Sequence, residues 1–111
     1  MPLYLIQESY SDAANGSMVK APQDRTAAVQ AMIAGIGGTL HGLWFALGEF
    51  DVVAIIEMPD NVTAAALSMA IRSTGAMSAY RTTPLLTMAE ATEAMRRAGT
   101  VRYTAPLQAA D

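Results

Sequence analysis

The segment Gly42-Leu43-Trp44-Phe45-Ala46-Leu47-Gly48-Glu49-Phe50-Asp51-Val52-Val53-Ala54-Ile55-Ile56-Glu57 sets two apolar, β-prone runs on either side of a short polar turn. β-branched and aromatic residues fit a pleated surface, so the pattern predicts strands over residues 39–47 and 50–58, joined as a hairpin through Gly48-Glu49. Apolar residues fall at consecutive positions in both strands, which predicts a sheet covered on both faces. Gly48 is expected to permit the turn and Asp51 to fix it by accepting backbone donors, while Phe50 begins a buried strand.

Working outward, residues 2–10 mix Leu3, Tyr4, Leu5 and Ile6 into a first strand, and Asn15-Gly16 reads as a turn. Ala28, Val29, Met32, Ile33 and Ile36 then recur at spacings of three and four, predicting a helix over residues 22–36 with Pro22 in its first turn and a left-handed cap at Gly37-Gly38. Beyond the hairpin, Pro59 stops the strand and Asp60 is placed to cap a helix that runs to about residue 74 and ends at Gly75. The expected buried stripe of this helix is Ala65, Leu67, Met69, Ala70 and Ile71. A fourth strand is expected over residues 77–86. Thr87-Met88-Ala89-Glu90 has the form of a capping box opening a third helix that ends before Gly99.

This order, β-α-β-β-α-β with an added C-terminal helix, is the ferredoxin-like α+β arrangement, a four-stranded antiparallel sheet with helices on one face. The expected domain is residues 1–99, followed by a tail over residues 100–111 that is either loose or reaches a neighbouring subunit. Helices cover only one sheet face, and the other is apolar. Leaving it in water is costly at about 25 cal/mol per Å², so two sheets are expected to pack face to face as a dimeric α+β barrel.

Composition narrows the classes. Hydrophobic residues make up 52% and charged residues 15%, which is apolar for a chain of 111 residues and again favours a homodimer or higher homo-oligomer. The net charge is −3 and the basic residues are scattered, which argues against a nucleic-acid surface. No cysteine is present, so disulfides, thiolate chemistry and Cys-ligated metal are excluded. No secretory signal and no apolar run of membrane-spanning length is seen, so the expectation is a cytoplasmic chain with no membrane partner.

Three blocks carry a family resemblance: Ala21-Pro22-Gln23-Asp24-Arg25; Leu40-His41-Gly42-Leu43-Trp44 through Met58-Pro59-Asp60; and Tyr80-Arg81-Thr82-Thr83-Pro84-Leu85-Leu86-Thr87. Together they resemble the GYD-domain family, whose central motif carries tyrosine where this chain has Phe50. The resemblance implies the ferredoxin-like dimeric barrel and supplies no catalytic residues to carry over. Chemistry that requires the missing hydroxyl is not available at Phe50.

Among candidate site residues, His41 is the one of a type whose ordinary pKa lies close to neutrality, and it is the natural general base or haem ligand, against a structural reading as a sheet-edge histidine bonded to a neighbour. Asp51 and Arg81, with Glu57, are strand charges that form either a polar cluster in a cleft or a turn cap and an ion pair. By period two, Trp44 faces away from His41 and flanks a ligand space beside Gly42 and Ala46, unless it is simply core. Tyr4, Tyr10 and Tyr80 can donate to a ligand oxygen. No metal site and no cofactor are expected, haem through His41 being the one cofactor considered.

The leading expectation is a homo-oligomer that binds a small, mostly apolar ligand in the crevice between sheet and helices. Fold-level analogy gives one alternative, a cofactor-independent monooxygenase- or isomerase-like enzyme acting on an aromatic compound. The other is a structural or regulatory oligomer with no small-molecule ligand.

Overall fold

β1 (Leu3–Tyr10) alternates as far as Glu8, with Tyr4, Ile6 and Glu8 buried and Leu3, Leu5 and Gln7 half-buried, as a strand between two different environments must. It forms the centre of the sheet in a computed structural model of the chain, which describes residues 1–107. β2 (Thr39–Phe45), β3 (Val52–Glu57) and β4 (Met77–Leu85) complete it in the order β2-β3-β1-β4, with every neighbouring pair antiparallel. Helices α2 (Thr26–Gly35) and α3 (Asn61–Ser73) connect these strands, and α4 (Met88–Ala98) follows. The architecture is the expected ferredoxin-like α+β fold.

One helix was not expected. α1 (Asp12–Lys20) occupies the stretch read as an Asn15-Gly16 turn. Ser11 caps it by accepting from the Ala14 amide, and Asp12 and Lys20 place charges that suit the two ends of the helix dipole. α2 starts later than expected, because Asp24 Oδ1 accepts from the Thr26 amide and begins the helix there, leaving Pro22 outside it. Its end is as expected: Gly37 has φ +85°, its amide bonds Ala34 O and the Gly38 amide bonds Ile33 O, the Schellman pattern.

The hairpin differs from its expected form. The Ala46 amide bonds Asp51 O at 2.7 Å, so residues 47–50 form the loop and both strands are shorter than the apolar runs. Gly48 does not adopt a positive φ, so the loop does not depend on glycine there. Phe50 is buried but lies in this loop instead of opening β3. The sheet is not covered on both faces within one chain, since β3 buries Val52, Ala54 and Ile56 and leaves Val53, Ile55 and Glu57 half-exposed.

The core lies between the sheet and helices α2 and α3: Tyr4, Ile6, Ala54, Ile56 and Met58 pack against Ile33, Ala64 and Leu67. The buried stripe of α3 holds the expected Leu67 and the partly buried Ile71, with Ala64 in place of Ala65, while Ala65, Met69 and Ala70 face out. Asp60 caps α3 as expected, accepting from the Thr63 amide at 2.8 Å.

α4 begins with the full capping box: the Glu90 amide donates to Thr87 Oγ1 at 3.0 Å and the Thr87 amide to Glu90 Oε1 at 2.9 Å. None of its residues is buried. The radius of gyration is 18.7 Å, against about 13 Å for a compact chain of this length, because α4 and the segment after it stand away from the body. Residues 101–107 form neither helix nor strand, and the rest of the expected tail, 108–111, lies outside the described residues.

Candidate functional site

Two adjoining cavities of about 530 and about 480 Å³ lie between the helix-covered sheet face and the helices, sharing Glu8, Tyr10, Met18, Gln23, Arg25, Val29 and Leu43. They form one crevice. β1 supplies the floor with Ile6, Glu8 and Tyr10; α1 supplies the roof with Ala14, Ser17 and Met18; α2 and α3 close the deep end with Ile33, Leu67 and Ile71. The wall is mainly aliphatic, with a few polar groups gathered around Glu8.

Glu8 sits at position i+2 from Ile6 on the buried face of a central strand, so its carboxyl must enter the crevice, and only 8% of the residue is exposed. Its Oε2 is buried and has no hydrogen-bond partner. Loss of water raises its pKa from 4.5 to about 7, with the nearby Arg25 guanidinium pulling weakly the other way. Tyr80 stands opposite Glu8 in the β1–β4 register, on the same face. Burial, then the Glu8 charge, push its phenol well above the usual tyrosine range, and burial and Glu8 also raise Tyr10. Both hydroxyls therefore stay protonated and available as donors.

The expected site residues are dispersed. His41 lies in a β-bulge, where the register jumps from Leu40↔Ile56 to Gly42↔Ile55. The extra residue moves Leu43 and Phe45 onto the helix side and turns His41 and Trp44 to the open face, so the two share a side after all. His41 Nε2 bonds Glu57 Oε1 at 2.9 Å on this exposed edge strand. Trp44 is 56% exposed and folds its ring over Gly42, where an added Cβ would lie 2.2 Å from the indole. Trp44 meets the crevice only at its outer margin.

Asp51 Oδ2 accepts from the Tyr10 amide at 3.0 Å, so it ties the hairpin loop to β1 and does not cap its own turn. Arg81 pairs with no carboxylate among the described residues; its guanidinium stacks 5.2 Å over the Phe50 ring. β2 and β4 are opposite edges of the sheet, about 14 Å apart at three strand spacings, so His41 and Arg81 do not converge. Tyr4 is core, 1% exposed, with its hydroxyl donating to Asn61 Oδ1 at the start of α3. Of the expected ligand-binding residues, Tyr10 and Tyr80 line the crevice beside Glu8, Trp44 reaches one of its two cavities, and Tyr4 lines neither.

Sequence reasoning missed Glu8 and Arg25. The signal for Glu8 was present: it is the one charged residue in the series Tyr4, Ile6, Glu8, Tyr10 that shares a strand face. Among the described residues no group of three or more His, Asp or Glu side chains is placed to hold a metal, and no helix is long and apolar enough to cross a membrane.

Comparison with known proteins adds one finding. A family model described as GYD domain matches residues 4–95, from the first residues of β1 into α4. Searches of curated proteins and of solved structures return no significant match.

Proposed function

The chain belongs to the GYD-domain family, and from that premise we propose that it binds a small, mostly apolar molecule in the crevice between sheet and helices, with Glu8 as the polar anchor. The observation that carries this reading is the buried Glu8 Oε2 without a partner, set in an otherwise aliphatic cavity. A buried polar atom left unpaired costs about 1–3 kcal/mol, and a carboxylate costs more. A ligand hydroxyl, or a carbonyl facing the protonated acid, restores the missing bond, and its apolar body displaces water from Val29, Leu43, Leu67 and Ile71.

Thermal-shift titration with one- and two-ring ketones and phenols tests the reading. A ligand present at about 100 times its Kd stabilises by about 2.7 kcal/mol, and a wild-type response that Glu8→Ala abolishes is the expected result. No stabilisation by any member of the panel, with a well-folded protein, counts against it. The reading calls on no cofactor.

The partner in this reading is a second copy. Leu3, Leu5, Val53, Ile55 and Trp44 share the uncovered sheet face, and the exposed Met88 and Met95 of α4 add apolar surface that one chain leaves in water. A homodimer that buries the sheet face matches this surface. Light scattering at micromolar concentration giving twice the 11.7 kDa chain mass is the expected result, and a monomer would count against it.

A further inference from the structure

We propose that the crevice moves protons on its ligand: the Glu8 carboxylate removes a proton from the carbon next to a ketone and returns it to a conjugated carbon, isomerising a small apolar enone. This rests on the crevice being a ligand site and names the class of substrate. Three features of the geometry carry it. Glu8 projects from β1, an interior strand paired on both sides, with Oε2 free of any partner among the described residues, so its backbone is held while that oxygen's bonding capacity is unused. Tyr10, two residues along the same face, and Tyr80, opposite in the register, place two phenol donors on its flanks. The deep wall beside them is mainly aliphatic, through Val29, Ile33, Leu43, Leu67 and Ile71, which limits the water that competes for the proton there.

The step balances without an outside reagent. The α C–H bond breaks and its electron pair becomes the C=C bond of an enolate, the carbonyl π pair moves to oxygen, and the proton forms an O–H bond on Glu8. The enolate oxygen accepts hydrogen bonds from a tyrosine hydroxyl, which favours charge where it develops. Glu8 then returns the proton to the γ-carbon, the carbonyl re-forms, and the net change is a shifted double bond.

A carboxyl with a pKa of about 7 is better matched than an ordinary carboxylate to take and then give back a proton near neutrality. The groups that set this balance are few. Tyr10 on β1 and Tyr80 on β4 stay neutral donors; Arg25 at the start of α2 is, among the described residues, the one cation lining the crevice; Asp24 beside it is held ionised by its bonds from Thr26; Asp51 acts through Tyr10. The residues that α1 and α3 contribute to the crevice include no ionisable side chain.

The test uses the full chain with 2-tetralone as probe, in D2O, following α-carbon deuteration by NMR and binding by saturation transfer in the same tube. The expected result is exchange above the buffer rate that rises with pH and levels off with a midpoint near 7. Glu8→Gln should keep binding and lose at least about 100-fold in exchange, and Glu8→Asp, which keeps the carboxylate but shortens its reach, should retain part of the rate. Tyr80→Phe should slow exchange without altering the pH midpoint by more than a small amount. Binding with exchange no faster than buffer, or a Glu8→Gln protein that exchanges like wild type, overturns proton transfer and leaves the binding reading intact. Failure of the wild type to bind 2-tetralone overturns the enone class itself, and only failure of the whole ketone and phenol panel removes the binding reading with it.

Discussion

Replacing Glu8 by glutamine should make the protein more stable above neutral pH and leave it nearly unchanged near pH 4.5. The carboxyl has an ordinary pKa of 4.5, and burial raises it to about 7 in the folded chain. Between these values the folded protein holds a proton that the unfolded chain has released, so stability is greatest below pH 4.5, falls as pH rises through this window, and is flat again above about 7. This displacement corresponds to about 3 kcal/mol at most, and screening by water entering the open side of the crevice brings the expected loss to about 2 kcal/mol. Glutamine is neutral throughout and nearly isosteric, so the difference between variant and wild type isolates this one group from every other titration. Urea unfolding at several pH values between 4.5 and 8, at one protein concentration and with unchanged m-values, is the assay. The advantage of Glu8→Gln should grow from near zero to about 2 kcal/mol across the series. Parallel stability curves would refute the reasoning, because they would mean that Glu8 is as well solvated folded as unfolded.

Gly38→Ala should cost at least about 2 kcal/mol in urea unfolding, because the new Cβ would lie 2.6 Å from the backbone oxygen of Glu57, which has no free rotation to escape by. Gly42→Ala meets only the end of the Trp44 ring, which can swing into solvent; a stability change below about 1 kcal/mol with a clear red shift of the single tryptophan's emission is the expected pair of results. Asp51→Ala removes the acceptor of the Tyr10 amide and should cost about 1–2 kcal/mol, and Asp51→Asn, which keeps an oxygen there, should cost clearly less in the same measurement. Equal losses in the two Asp51 variants would show that charge, and not the bond to Tyr10, is what holds the loop.

Most of the fold could be read from local chemistry. The Schellman cap at Gly37, the Asp60 cap and the Thr87–Glu90 capping box each depend on a few consecutive residues, and each appears as expected. Where the reading failed, the deciding contact was distant or the signal was silent. α1 buries no residue, so it carries no apolar period to announce it, and Asn15-Gly16 spoke for a turn instead. The bulge at His41 depends on how Ile55 and Ile56 of β3 pair across the sheet, and a single inserted residue reverses every facing assignment after it. That reversal is why Trp44 lies on the open face and meets the crevice from the sheet edge instead of from between sheet and helices.

The same physics explains why the candidate site fell on residues that motif reading passed over. His41, Asp51 and Arg81 drew attention as charges within strand segments, yet each has a local partner in Glu57, the Tyr10 amide or the Phe50 ring, and a partnered group has its bonding capacity already used. Glu8 is the opposite case. It breaks the apolar alternation of β1 on the face that enters the core, where a valine would pack at no electrostatic cost, and nothing among the described residues satisfies its Oε2. A local rule broken without internal compensation is where function is most economically sought. α1 fits the same account: a helix that contributes nothing to the core but roofs the cavity over Glu8 has its physical use in that cavity, with Ala14, Ser17 and Met18 forming wall instead of interior. The rigid central strand thus fixes the acid, and the lightly held helix encloses whatever the acid meets.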